Sequence, residues 1–381
     1  MIQSALSAKG AEQSAQRLPI DDLLCELIRV DGSNLHLKSG RPPVFRVQGV
    51  LRAQAGAPMT EEEVVRLCLP LLGERQKKEL AQCGGTDLAH VVKHEGRSWR
   101  FRINVFKQMG KLAFIAQTVQ PTIPSMEDLH LPPVLESLCR LDQGMILVAG
   151  MTGCGKTTTI ASMLDWINHH YRKHILTIED PIEYVFADDR CLINQREIGL
   201  SVKNFEIAMK HAVREDPDVM LVGEMRDMES FLTAMHAAET GHLVFGTIHS
   251  ATAHSTIGRI LDLFPREMHP ALRGSMAFNM RAIVVQKLVP TVLQRPRRVP
   301  AAEIMLFNGT VRKLILEEKD EKLPDAISIG RQEGMQQFND SLLGFVNRGF
   351  ISNGVALEVS PAPEALKMAL KGIETSSRGI L

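Results

Sequence analysis

The sequence predicts an α/β protein: a larger domain with a mostly parallel sheet covered on both faces, preceded by a smaller α+β module. Three observations carry this. Short apolar runs at 145–149, 174–178, 218–222, 243–247 and 282–289 alternate with stretches of helical apolar spacing, the pattern of a buried parallel sheet. The first of these runs ends in Gly-Met-Thr-Gly-Cys-Gly-Lys-Thr, residues 150–157, a complete G-x-x-x-x-G-K-[ST] phosphate-binding loop. A proline-marked connection, Pro121, Pro124, Pro132 and Pro133, separates this region from an upstream segment of short strands.

Taken in order, residues 1–17 form an Ala/Ser/Gln-rich mobile tail without the apolar core of a signal peptide. Ile20 to Val30 has amphipathic helical spacing. Leu35–Leu37 and Val44–Val47 predict strands turned by Ser39-Gly40-Arg41-Pro42-Pro43. Thr60-Glu61-Glu62-Glu63 is a capping box opening a helix to Leu72. Thr86–Val92, Ser98–Phe106 and Leu112–Val119 predict three antiparallel strands joined at Glu95-Gly96 and Met109-Gly110. The smaller module spans 18–119, a linker 120–133, and the larger domain 134–381. Its last part predicts small helices, among them Val311–Leu316, Phe338–Asn347 and Pro363–Lys371.

Bulk properties narrow the function classes. Lys+Arg and Asp+Glu both number 44, so the net charge is zero and nucleic acid is not expected as the main partner. The six cysteines form no C-x-x-C pair, which fits a reducing compartment and no zinc knuckle. No apolar run reaches the length of a membrane span.

The phosphate loop supplies the first chemistry. Strand Met145–Ala149, the glycine loop and the helical run from Thr158 to Asn168 together bring backbone N–H groups and a helix N-terminus to bear on phosphate. The nucleotide-cradling candidates are Gly150, Thr152, Gly153, Cys154, Gly155, Lys156, Thr157 and Thr158. Lys156 reaches the β- and γ-phosphates, and Thr157 ligates Mg²⁺. Cys154, beside both the helix N-terminus and Lys156, is expected to be a reactive thiol.

Three further motifs follow apolar runs. Thr177-Ile-Glu-Asp-Pro-Ile-Glu183 is either a solvated acidic turn or a metal- and water-handling acid cluster. Asp216-Pro-Asp-Val-Met-Leu-Val-Gly-Glu224 ends a strand in an acid, the form of a second nucleotide motif. Gly241-His-Leu-Val-Phe-Gly-Thr-Ile-His249 flanks a strand with His242 and His249, either structural histidines or γ-phosphate sensors.

In order and spacing, Thr177–Glu183, Arg214–Asp218 through Gly223–Asp227, and Ala237–His242 through His249 resemble the Asp box, variant Walker B and His box of the secretion ATPases of type IV pili and type II secretion. Within that superfamily the chain is similar to the type IV pilus retraction ATPases, the PilT/PilU-like group. Ser33–Pro43 and Val311-Arg312-Lys313-Leu314-Ile315, the latter like a late A-I-R-N-L-I motif, carry this finer resemblance. It implies a PAS-like N-terminal domain, a RecA-like P-loop ATPase domain, and a homohexameric ring. The ring would be cytoplasmic, peripheral at the inner membrane, and would hydrolyse ATP with Mg²⁺ to power pilus retraction in twitching motility. An inner-membrane pilus platform protein is the implied partner, with a paralogous pilus ATPase as a second one. Glu179 becomes the water-activating base, Glu224 positions Mg²⁺ partly through water, and His242 and His249 couple nucleotide state to the sheet. Arg100 and Arg102, on a strand like the family's R-F-R-[VI]-N, would approach phosphates; the spacing alone equally fits an exposed charged face. Gln117 stands where the group usually has arginine, and Val311–Ile315 is a partial match. An accessory PilU-like role is therefore the alternative, with a RecA-like nucleic-acid motor behind it.

Overall fold

The computed structural model describes residues 19–119 and 122–373, so the expected mobile tail and the start of the expected linker lie outside the described residues. The chain divides into two compact units, Met1–Pro121 and Thr122–Leu381.

The first unit is α+β. Its described elements are α1 (Asp21–Arg29), β1 (Gly32–Lys38), β2 (Val44–Val47), β3 (Val50–Ala53), α2 (Glu61–Cys68), α3 (Glu74–Cys83), β4 (Gly85–His94), β5 (Arg97–Gln108) and β6 (Lys111–Thr118). The strands form a six-stranded sheet in the order β3-β2-β1-β6-β5-β4, with every pairing antiparallel. β3 is an addition to the expectation. Gln48 and Gly49 both take positive φ, 53° and 82°, which closes a two-residue hairpin onto β2. The Thr60 capping box is present: Glu63 N–H donates to Thr60 Oγ1 at 3.2 Å, and Thr60 N–H donates to the Glu63 carboxylate at 2.7 Å. Helix α2 ends at Cys68 rather than Leu72, because Pro70 lies in a following 3₁₀ turn, Leu69–Leu71. Along β5, Phe101, Ile103 and Val105 are fully buried while Arg100, Arg102 and Asn104 alternate onto the other face.

The second unit contains α4 (Val134–Cys139), β7 (Gly144–Ala149), α5 (Lys156–His170), β8 (His174–Glu179), β9 (Leu192–Glu197), α6 (Phe205–Ala212), β10 (Val219–Val222), α7 (Met228–Glu239) and β11 (Leu243–Ile248). It continues with α8 (Ala253–Leu261), α9 (His269–Asn279), β12 (Met280–Pro290), β13 (Arg298–Leu306), α10 (Gly309–Leu316), α11 (Leu323–Ile329), α12 (Phe338–Asn347), α13 (Asn353–Val359) and α14 (Pro363–Leu370). A seven-stranded sheet runs β13-β12-β7-β11-β10-β8-β9. All pairings are parallel except the β12–β13 edge. Both faces are covered. Met145 and Leu147 of β7 belong to one apolar core, Ile146 and Val148 to the other. That two-sided burial explains why β7, β8, β10 and β11 appear in the sequence as unbroken apolar runs. In a parallel sheet the C-terminal strand ends share one edge, and the loops after β7, β8, β10 and β11 gather there.

Candidate nucleotide site

The loop between β7 and α5 is shaped by glycine. Gly150 has φ 144°, and a Cβ there would lie 2.5 Å from Cys154 Sγ and 2.6 Å from Gln286 O. Gly153 and Gly155 also take positive φ, 78° and 91°. The helix α5 then starts at Lys156, whose Nζ donates to Gly150 O at 2.8 Å and Met151 O at 3.3 Å. The ammonium is thereby held across its own loop, in position to meet a phosphate anion.

A hollow of about 540 Å³ opens above this loop and is lined by Thr152, Gly153, Gly155, Lys156, Thr157 and Thr158. The same hollow is lined by Glu179 at the end of β8, Asp180 and Glu183 after it, Glu224 and Arg226 after β10, His249 after β11, and Arg298 at the start of β13. One cavity thus collects the phosphate loop and the three downstream motifs, all from the second unit.

Glu179 closes β8 and is only 4 % exposed. Its Oε1 accepts from Thr177 Oγ1 at 2.7 Å and from Gln195 Nε2 at 3.3 Å. Burial pushes its carboxyl up to about 7, with the hydrogen bonds from Thr177 and Gln195 opposing the rise. Such a group passes between acid and base near neutral pH.

Glu224 follows β10 through Gly223. A Cβ on Gly223 would come 3.2 Å from Ile178 O and 3.3 Å from Glu179 Cα, so glycine lets the two strand ends run close together. The Glu224 carboxylate accepts from Arg226 Nη2 at 2.6 Å and lies 3.1 Å from His249 Nε2. The Arg226 hydrogen bond holds its carboxyl below the ordinary range, against partial burial and with help from the Arg226, His249 and Lys156 charges.

Thr157 and Glu224 are oxygen donors lining one hollow, the donor type Mg²⁺ takes. Among the described residues no group of three or more His, Cys, Asp or Glu side chains forms a metal cage. A donor set of one hydroxyl and one carboxylate suits an ion completed by phosphate and water, as Mg²⁺ usually is.

Among the expected site residues of this unit, His242 and Cys154 do not line the hollow. His242 precedes β11, at the opposite end of the strand from His249. There it bonds Ala237 O through Nδ1 at 2.9 Å and approaches Thr240 Oγ1 at 3.3 Å, an arrangement that satisfies the C-terminus of α7. It does not line the nucleotide hollow. Cys154 is 6 % exposed, packed toward Gly150, and burial raises its thiol despite Lys156 and the backbone N–H groups. The expectation of an activated thiolate is therefore corrected: desolvation outweighs the nearby positive charge. Arg100 and Arg102 belong to the first unit, on the outward face of β5. Arg102 Nε lies 3.9 Å from Asp87 Oδ1, and Arg102 pairs in register with Gln117 of β6.

Other residues entered without notice in the sequence. Gln286 on β12 donates to Cys154 O at 2.6 Å and accepts from Thr159 Oγ1 at 2.8 Å, tying the loop to α5 from within the core. Gln195, Arg226 and Arg298 also join the site. For Arg226, the signal was its place two residues after Glu224.

Residues 20–340 match the family model described as type II/IV secretion system protein. The type IV pilus retraction ATPase PilT of Pseudomonas aeruginosa is 38 % identical over 347 residues, which is 91 % of this chain and 99 % of that protein. The type IV pilus ATPase PilU of the same organism is 31 % identical over 354 residues, 93 % of this chain and 92 % of that one. The crystal structure of the pilus retraction motor PilT with bound ADP aligns at TM-score 0.85 and 39 % identity, covering 92 % of this chain and 99 % of that chain.

Proposed function

The chain belongs to the type II/IV secretion system protein family, in its PilT/PilU-like branch of ATPases, and from this we propose that it is a Mg²⁺-dependent motor that drives type IV pilus retraction. The observation that carries the catalytic part is the single hollow shared by the phosphate loop, buried Glu179 and the Glu224–His249 pair.

In this reading ATP lays its phosphates along residues 152–157, and Lys156 exchanges its loop carbonyls for the β- and γ-phosphates. A second hollow of about 330 Å³ shares Gly155, Thr158, Leu288 and Arg298 with the first and adds Leu129, His130 and Pro296. It offers room for the base and ribose. Glu179 takes a proton from water as the water oxygen attacks the γ-phosphorus and ADP leaves. Thr157 and, through water, Glu224 would hold Mg²⁺, which neutralises phosphate charge when bound. His249 senses the γ-phosphate through its contact with Glu224.

The motor reading adds a homohexameric ring at the cytoplasmic face of the inner membrane, acting on a pilus platform protein. Arg100 and Arg102 would supply phosphate contacts in the assembled ring. Among the described residues no helix is long and apolar enough to cross a membrane. Higher identity to PilT than to PilU favours the principal retraction motor. The accessory reading is favoured by one feature, Gln117, which sits between Arg102 and Asn34 in register where a further arginine is expected.

Deleting the gene in its host tests the proposal. Retained or excess pili with loss of twitching are expected; loss of the pili themselves would overturn it. Lys156→Ala should reproduce the deletion, with ATP turnover lowered by about 10²–10³-fold or more in purified protein.

A further inference from the structure

Edge strand β9 carries side chains that the reading above leaves without a task. Parallel register sets Thr177 opposite Gln195 and Glu179 opposite Glu197. Thr177 and Glu179 are two residues apart on one strand and so share a face. We propose that Thr177 and Gln195 are positioning residues for Glu179, and that Gln195 ties its carboxylate to the 184–186 segment of the acid turn.

The donor geometry carries this. Thr177 Oγ1 and Gln195 Nε2 both donate to the same oxygen, Glu179 Oε1, at 2.7 and 3.3 Å. Gln195 cannot turn its amide over. Its Oε1 accepts from Phe186 N–H at 2.9 Å, and its Nε2 also donates to Tyr184 O at 2.8 Å. A flipped amide would set oxygen against the Tyr184 carbonyl and nitrogen against an N–H, losing both bonds. Gln195 can therefore only donate to Glu179. An ionised carboxylate accepts about four hydrogen bonds; with Thr177 and Gln195 both on Oε1, the other oxygen is left for a water.

The same segment reaches the nucleotide helix. Tyr184 OH lies 3.0 Å from Thr158 Oγ1 near the start of α5. Glu197 accepts from Ile182 N–H at 3.3 Å, so β9 holds the turn at two points. Burial opposes the charged form of Glu179, and the Glu183 carboxylate opposes it further. The other charged groups around the hollow are Asp180, Glu224, Arg226, Asp227, Lys156, His249 and Arg298. Against burial, the fixed donors limit the rise of the carboxyl to about 7, so that a share of it is ionised at neutral pH.

This inference rests on Glu179 being the base, and the test separates the two. The pH dependence of kcat at saturating Mg-ATP is measured on the full chain for wild type, Thr177→Val, Thr177→Ser, Gln195→Met and Glu179→Gln. The titration of Mg-ATP itself is common to all and cancels. Removing one donor to a charged group should move the acid limb up by about one pH unit. Turnover in Thr177→Val and Gln195→Met should then fall about 5–10-fold at pH 7 and return to within about 2-fold of wild type at pH 9, with KM for ATP unchanged. Thr177→Ser should restore the wild-type limb. An equal loss at every pH, or no change in the limb, would overturn the positioning role. Thr177→Val keeps the test alive should Gln195→Met disturb the turn, because the one side-chain bond it removes is the bond to Glu179. Wild-type turnover in Glu179→Gln would instead remove the base reading. An inactive Glu179→Gln with unmoved limbs in the other variants would remove the positioning claim alone.

Discussion

Glu179 ends β8 and Glu224 follows β10, two neighbouring parallel strands, and both line one hollow. Their surroundings are opposite. Glu179 is buried among Thr177, Gln195 and the acid turn, with no ion-pair partner among the described residues, and its carboxyl rises to about 7. Glu224 stands on the rim, bonded to Arg226 and beside His249, and its carboxyl is held low. The first environment makes a group that can accept a proton near pH 7, the second a carboxylate that stays charged and available to a hydrated cation. The different tasks proposed for these two acids of one sheet edge rest on desolvation on one side and ion pairing on the other.

The signs differ in stability too. Because the folded carboxyl of Glu179 holds its proton from its ordinary value of 4.5 up to about 7, its contribution lowers stability as pH rises through that window. Glu224, depressed in the fold, contributes stability that is present above 4.5 and lost as pH falls through its folded value.

The sharpest way to break the contrast is Glu179→Gln. An amide cannot take the proton, so turnover should fall by about 10²–10⁴-fold while ATP still binds. Its melting temperature at pH 8 should be no lower than wild type, since a buried charge is removed. Next in size is Glu224→Gln, expected to cut turnover by about 10²-fold and to raise the Mg²⁺ concentration needed for half-maximal rate. A loss of turnover in Glu224→Gln with no change in that Mg²⁺ requirement would argue against its assignment to the cation. The two histidines sharpen the comparison further. His249→Ala should cost about 10-fold in turnover, whereas His242→Ala, at the other end of β11, should stay within about 2-fold in a monomeric nucleotide-binding assay. Smallest is Cys154→Ser, expected to change turnover by less than about 2-fold. Buried Cys154 should also react with maleimide more slowly than exposed Cys83, and equal labelling rates would restore the activated-thiolate reading.

What the sequence disclosed follows from where each signal is stored. The phosphate loop was legible because it sits in a contiguous stretch at the end of an apolar run; the acid stretches 177–183 and 216–224 sit the same way, but the roles of Glu179 and Glu224 came only from the family resemblance. Strand β9 was not, because Leu192-Ile-Asn-Gln-Arg-Glu197 is an edge strand with mixed exposure and no apolar run. Gln195 reaches Glu179 only through the β8–β9 register, which no local spacing records. β13 was missed for a related reason: it runs antiparallel at the other edge and carries Pro300. Cys154 misled because the positive charge of Lys156 is legible in sequence while burial against Gly150, which outweighs it, is not. His242 misled because a strand has two ends, and only His249 is at the one that faces the loop.

The contrast between the two acids is tested most directly by titrating Glu179 itself. Difference infrared spectra of the full chain against Glu179→Gln, followed with pH, isolate the protonated carboxyl stretch of that one residue. A transition centred near pH 7 is expected from its burial. A transition in the ordinary carboxylate range, around 4.5, would contradict the assignment of separate tasks to Glu179 and Glu224.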